Sequence, residues 1–227
     1  MLEQSSSAVA DRPQRGRVAG IAIVVSAALT IAAIAHHPTI TTARGPAHVL
    51  SQVAALSVAD ETVHGLLIAM VAALLFGLTA FSLRRGLGRE TVLAGLIVYA
   101  VAAAALIGAA LIDGFLVPTL AARYVGATPQ SVDMTLHVLA ACSAAIQILT
   151  KLGLGATSLA LTLWAVDLVR SRGTLRVAGA IGFASGPLSL VLLVFSGNLN
   201  PHNLGAIVLL QSIWYFAVGT LLIRNDV

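Results

Sequence analysis

Residues 93–112, LAGLIVYAVAAAALIGAALI, run for twenty positions without a charge. At 1.5 Å of rise per residue such a stretch makes a helix about 30 Å long, which matches the hydrocarbon thickness of a bilayer. Arg89 and Glu90 precede it and Asp113 follows at once, so polar residues stand where a membrane would end. The stretch reads as a transmembrane helix. Working outward from it, the apolar segments are Val18–Ala35, His64–Leu83, Thr91–Ile112, Ile146–Val169, Val177–Phe195 and Leu204–Ile223. The expected fold is an all-α integral membrane protein, a six-transmembrane-helix bundle, with polar tails at 1–17 and 224–227 around a membrane domain at 18–223.

Composition agrees. Hydrophobic residues make up 58% of the chain and charged ones 10%, with a mean hydropathy of +0.95. A soluble domain carries about 25% charged residues because it must cover a water-facing surface. The basic pI near 10.0 does not imply nucleic acid, because the cations lie in short clusters beside apolar spans. The expected large partner is the lipid bilayer, with no nucleic acid.

Those clusters also predict orientation. Arg12, Arg15 and Arg17, then Arg84, Arg85 and Arg89, then Arg170, Arg172 and Arg176, and finally Arg224 account for ten of the thirteen basic residues. With six spans they all fall on one side, which the positive-inside rule makes the cytoplasm of a plasma-membrane protein with both termini inside. All six histidines (His36, His37, His48, His64, His137 and His202) then lie at or beyond the opposite, outer ends. Ala33-Ile34-Ala35 resembles a signal-peptidase site before His36, but an apolar run of about 18 residues exceeds the usual signal core and favours a retained helix.

Two helices look too long for a membrane. Gly45-Pro46 opens a helix-compatible stretch reaching Arg84, and Thr128-Pro129 opens another reaching Val169. Proline at the first helical position is a proper start signal. The excess is expected as outer extensions or as breaks near the interface. Lys151-Leu152-Gly153-Leu154-Gly155 is the expected break in the second. Reading it as a turn gives seven spans, but that alternative would move Arg170, Arg172 and Arg176 outside.

A short echo suggests three helical hairpins. Asp60-Glu61-Thr62-Val63-His64 and Asp133-Met134-Thr135-Leu136-His137 share D-x-T-aliphatic-H at the offset that also separates Val18 from Thr91. Pro38, Pro118 and Pro201 follow the outgoing helices. Depth argues against strict equivalence: counted from the inner arginines, His64 is level with Lys151 and His137 with His48.

The candidate site follows from residue chemistry. Each Asp–His pair stands four residues apart and shares a helix face, so Asp60 and Asp133 can orient His64 and His137. His36 and His37 point about 100° apart, which leaves one to bind and the other to cap helix-end carbonyls. Asp113 and Lys151 are ionisable groups close to apolar spans and are expected to pair. The candidate polar or metal site is therefore His36, His64, Asp113, His137, Lys151 and His202, with Asp60 and Asp133 behind it. His64, Asp113, His137 and Lys151 are expected to converge.

Other features read as packing. Gly182 and Gly186 form a small-xxx-small pattern for close helix contact, within the chain or in a homo- or hetero-oligomer. Cys142, alone, reads as a small packing residue and excludes an intrachain disulfide. Trp164, Trp214 and Tyr215 read as span or interface aromatics. Three functions remain open: a non-catalytic subunit or small transporter, a module binding a transition metal (zinc, copper) or haem, and a metal-dependent membrane hydrolase.

Overall fold

The computed structural model describes residues 4–37 and 45–227. Every regular element among the described residues is helical: α1 Gln4–Ala35, α2 Pro46–Ala55, α3 Ser57–Arg85, α4 Glu90–Leu111, a π-helical turn Ile112–Leu116, α5 Val117–Arg123, α6 Pro129–Leu168, α7 Thr174–Phe195 and α8 Pro201–Arg224. Six helical stretches are long and apolar enough to cross a membrane: Gly16–Ala35, Ser57–Arg85, Glu90–Arg123, Pro129–Leu168, Thr174–Phe195 and Pro201–Arg224. The first helix begins at Gln4, ahead of its apolar span.

The six long helices close into a ring. α1 packs on α3, α3 on α4, α4 on α6, α6 on α7, α7 on α8, and α8 returns to α1. Chain reversals put the arginine clusters at one end and most histidines at the other, here called the arginine end and the histidine end. Lipid tails are as apolar as leucine, so such helices associate through close packing rather than the hydrophobic effect. Gly182 lies against Trp214 and Ala165, and Gly186 against Thr162 and Ser158, so the small-residue face of α7 is used within the chain against α6 and α8.

The core lies toward the arginine end. Trp164 and Trp214 stack there with ring centroids 5.5 Å apart, and Phe81 meets both edge-on. Both tryptophans lie within the long apolar helices and are fully buried there. Nearby, Asp167 accepts from Arg85 Nε and from Arg89 Nη1, each at 2.7 Å. This clasp joins α3 and the α3–α4 loop to α6. Arg85 and Arg89 thus tie helices together besides the orienting role their clustering suggests.

The two over-long helices resolve differently. The first bends at Leu56 (φ −93°, ψ 1°), which separates α2 from α3. The second, α6, runs unbroken through Lys151–Gly155 and overturns the expected break. Gly153 explains it: a Cβ there would meet Leu106 and the Ala102 carbonyl of α4, so glycine permits close packing rather than a turn. The seven-span alternative fails with it. The histidine-end part of α6, capped at Thr128, extends past the ring, where Val132 packs with Leu50 and Val53 of α2 and Ala121 of α5. Of the three prolines, Pro118 lies in α5, Pro201 starts α8, and Pro38 falls outside the described residues.

Candidate metal centre

His64 organises the histidine end. It is 3% exposed, about two turns into α3 after the Leu56 bend. Its Nδ1 lies 2.8 Å from the Asp60 backbone carbonyl. A carbonyl only accepts, so Nδ1 carries the proton, and in a neutral ring Nε2 presents its lone pair. That lone pair meets two other groups: His37 Nε2 at 3.4 Å and Asp113 Oδ2 at 3.2 Å. An imidazole lone pair facing a carboxylate oxygen at hydrogen-bonding distance repels it unless a proton or a cation lies between them.

The positions of these groups follow from local structure. His37 lies just past the end of α1, and its ring is edge-on to that of His64. Asp113 is brought to α3 by the π turn, which inserts its extra residue between α4 and α5. Such single-turn bulges re-aim side chains and recur at functional sites. Gly114 makes the approach feasible, because a Cβ there would meet Cβ and Cγ of His64. Asp60, 8% exposed, holds its carboxylate 3.7 Å from His64 Nδ1. His37, Asp60 and His64 each offer a ligand atom, all within 4.8 Å of one another.

The other predicted residues stand apart. His36 is exposed and donates from Nδ1 to the Ala32 carbonyl at 2.9 Å, so it caps α1 while His37 faces the site. His137 is exposed on the N-terminal part of α6, bonded to the Asp133 carbonyl at 2.8 Å, with the exposed Asp133 carboxylate 3.9 Å away. His202 is exposed in the first turn of α8. Lys151 donates to the Gly197 carbonyl beyond the end of α7. Helix ends leave carbonyls unsatisfied, and that draws a lysine donor. The expected Asp113–Lys151 pair is therefore replaced by Asp113–His64 and Lys151–Gly197. Of the four residues expected to converge, the structure brings together two, His64 and Asp113, and adds His37.

Beneath this cluster a cavity of about 150 Å³ runs down the inside of the ring, reaching Tyr99, Gln211 and Tyr215. Ring, cluster and cavity define the class: an all-helical protein with six helices of membrane-crossing length and apolarity around an internal cavity headed by histidines and carboxylates. Comparison with family models, curated proteins and solved structures finds no match to this chain.

Proposed function

We propose that the chain is a multi-pass protein of the plasma membrane, a small transporter or partner subunit rather than an enzyme, that holds a divalent transition-metal ion at its histidine end. Both termini lie on the cytoplasmic side in this reading, because the four arginine clusters share one end of the bundle. The histidine end then faces outward.

The observation that carries the reading is the spacing around His64 Nε2. Two ligands about 2.0–2.1 Å from a tetrahedral ion lie about 3.3 Å apart. Each pair with His64 has that spacing, His37 Nε2 at 3.4 Å and Asp113 Oδ2 at 3.2 Å, while the three ligand atoms that lie within 4.8 Å of one another belong to His37, Asp60 and His64. Imidazole nitrogens with a carboxylate suit zinc or copper. The Asp60 carbonyl supplies the outer hydrogen bond that metal-bound histidines usually have. Haem fits poorly. Axial histidines on opposite faces of one iron need nitrogens about 4 Å apart, and about 150 Å³, the size of a benzene-binding cavity, does not take a tetrapyrrole.

Elemental analysis tests it. Protein purified in detergent without chelator, loaded with zinc and dialysed, should retain roughly one ion per chain, as tetrahedral His/carboxylate sites do. His37→Asn and His64→Asn should lose it while circular dichroism stays helical, and His137→Ala should keep it. No retained metal in the wild type, or equal retention in His64→Asn, overturns the proposal.

A further inference from the structure

The cavity below the metal cluster has chemistry of its own. On α3 its lining runs from His64 to Leu74 and on α8 from Leu204 to Tyr215, each about 15 Å at 1.5 Å per residue. A volume of about 150 Å³ accepts benzene when it is compact. Drawn out over that length it becomes a narrow shaft, shaped for a chain of methylenes. Its walls are mainly aliphatic, with Leu67, Val71, Leu106 and Val208 among them.

The far end of the shaft is polar. Gln211, 3% exposed, donates from Nε2 to the Leu154 carbonyl and to Ser158 Oγ, both at 3.1 Å. The Leu154 carbonyl only accepts, so the amide cannot be turned round. That leaves Gln211 Oε1 without a hydrogen-bond partner among the described residues. Thr30 Oγ1, on the α1 wall, is buried and has none either. A polar group left without a partner at such a place needs an explanation. Beyond this floor the Trp164–Trp214 stack and Phe81 block the way to the arginine end.

We infer that the shaft is a binding site for a slender, neutral, bilayer-soluble molecule ending in a hydroxyl, of the aliphatic alcohol class. The hydroxyl donates to Gln211 Oε1 and the chain lies along Val71, Leu106 and Val208 toward the histidine end. The Gln211 carbonyl oxygen calls for a donor and the unpartnered Thr30 hydroxyl both donates and accepts, so a terminal hydroxyl suits this end better than a bare alkane or a group that only accepts. The length and width select a single extended chain. The metal centre's His37, His64 and Asp113 line one end of the same cavity, and the alcohol's hydroxyl is assigned to the other, at Gln211.

The test uses full-length protein in phosphatidylcholine nanodiscs, with 1-octanol and the near-isosteric 1-chlorooctane as probes followed by saturation-transfer NMR. Empty nanodiscs give the non-saturable partition background. Wild type should bind 1-octanol saturably and about tenfold more tightly than 1-chlorooctane, the worth of one hydrogen bond to a buried acceptor. Gln211→Met should remove that preference while retaining chain binding, and Val208→Phe, which fills the shaft, should abolish both. Signals no larger than in empty nanodiscs overturn the inference and leave water or lipid tails in the shaft. Equal affinity for the two probes overturns the role of Gln211. Chelation of zinc should change nothing. If 1-octanol binds only with zinc present, its hydroxyl sits at the histidines and the floor assignment fails, whereas loss of zinc retention alone, with octanol binding intact, would touch only the metal reading.

Discussion

Asp60–His64 and Asp133–His137 have the same local geometry and opposite surroundings. In each, the histidine Nδ1 lies 2.8 Å from the aspartate backbone carbonyl one turn back, with the carboxylate 3.7 or 3.9 Å away. Yet the His64 side chain is 4% exposed and that of His137 78%. The motif aims a ring and fixes its tautomer. It does not make a site. His64 becomes one because the π turn delivers Asp113 and the end of α1 delivers His37 to its Nε2. His137 lies on the part of α6 that outruns the ring, and the structure brings no such group to its Nε2 among the described residues.

The sharpest way to break this contrast is to move the partner rather than the motif. Gly114→Ala puts a methyl group where Cβ and Cγ of His64 now lie. Overpacking of this kind costs about 1–3 kcal/mol, and relief requires α3 and the π turn to separate. The expected result is a lower midpoint of thermal unfolding in detergent, together with loss of zinc retention. An unchanged midpoint with unchanged zinc would mean that the π turn does not set the Asp113–His64 distance. His64 would then owe its special status to burial alone.

A smaller effect isolates charge from shape. Asp113→Asn keeps the size of the side chain and removes its negative charge. Zinc affinity should fall by more than the roughly 10- to 100-fold that losing an outer carboxylate costs, because Asp113 is a direct ligand in this reading, with the fold intact. Asp133→Asn, its counterpart on α6, should leave affinity unchanged. Equal effects at the two positions in a zinc titration would contradict the asymmetry.

The sequence made most of the scaffold legible and much less of the site. Uncharged runs such as 93–112 are direct statements of span, and Gly45-Pro46 and Thr128-Pro129 marked two helix starts correctly. The Lys151–Gly155 break failed because glycine in a helix has two physical uses, turning the chain and admitting a neighbour. Only the position of Leu106 distinguishes them. Asp113 was suspected from its cost beside a membrane, but its partner could not be read. A π turn rotates everything after it, and no simple periodicity in 112–116 announces one. The choice of His37 over His36 has the same origin, since one residue at a helix end is 100° of direction. Gln211 was within reach: a lone amide inside an apolar span is a functional candidate on sight. Asp167 was within reach as well, as an acid beside a loop of arginines at the same end.

The smallest expected effect is also the most diagnostic. Exposed histidine–carboxylate pairs contribute little, because water and salt screen them and two side chains must be held still. Removing the second motif altogether, as Asp133→Ala with His137→Ala, should therefore shift unfolding by no more than about 0.5 kcal/mol and leave zinc retention intact. A loss comparable to that of Gly114→Ala would mean that this face of α6 is covered in the working protein. Val138 and Met134 beside it are exposed too, so a second copy of the chain would be the first partner to look for, by measuring the oligomeric state of the wild type and the double variant in detergent. If the motif comes out neutral, α6 has kept the aiming device where no target is supplied.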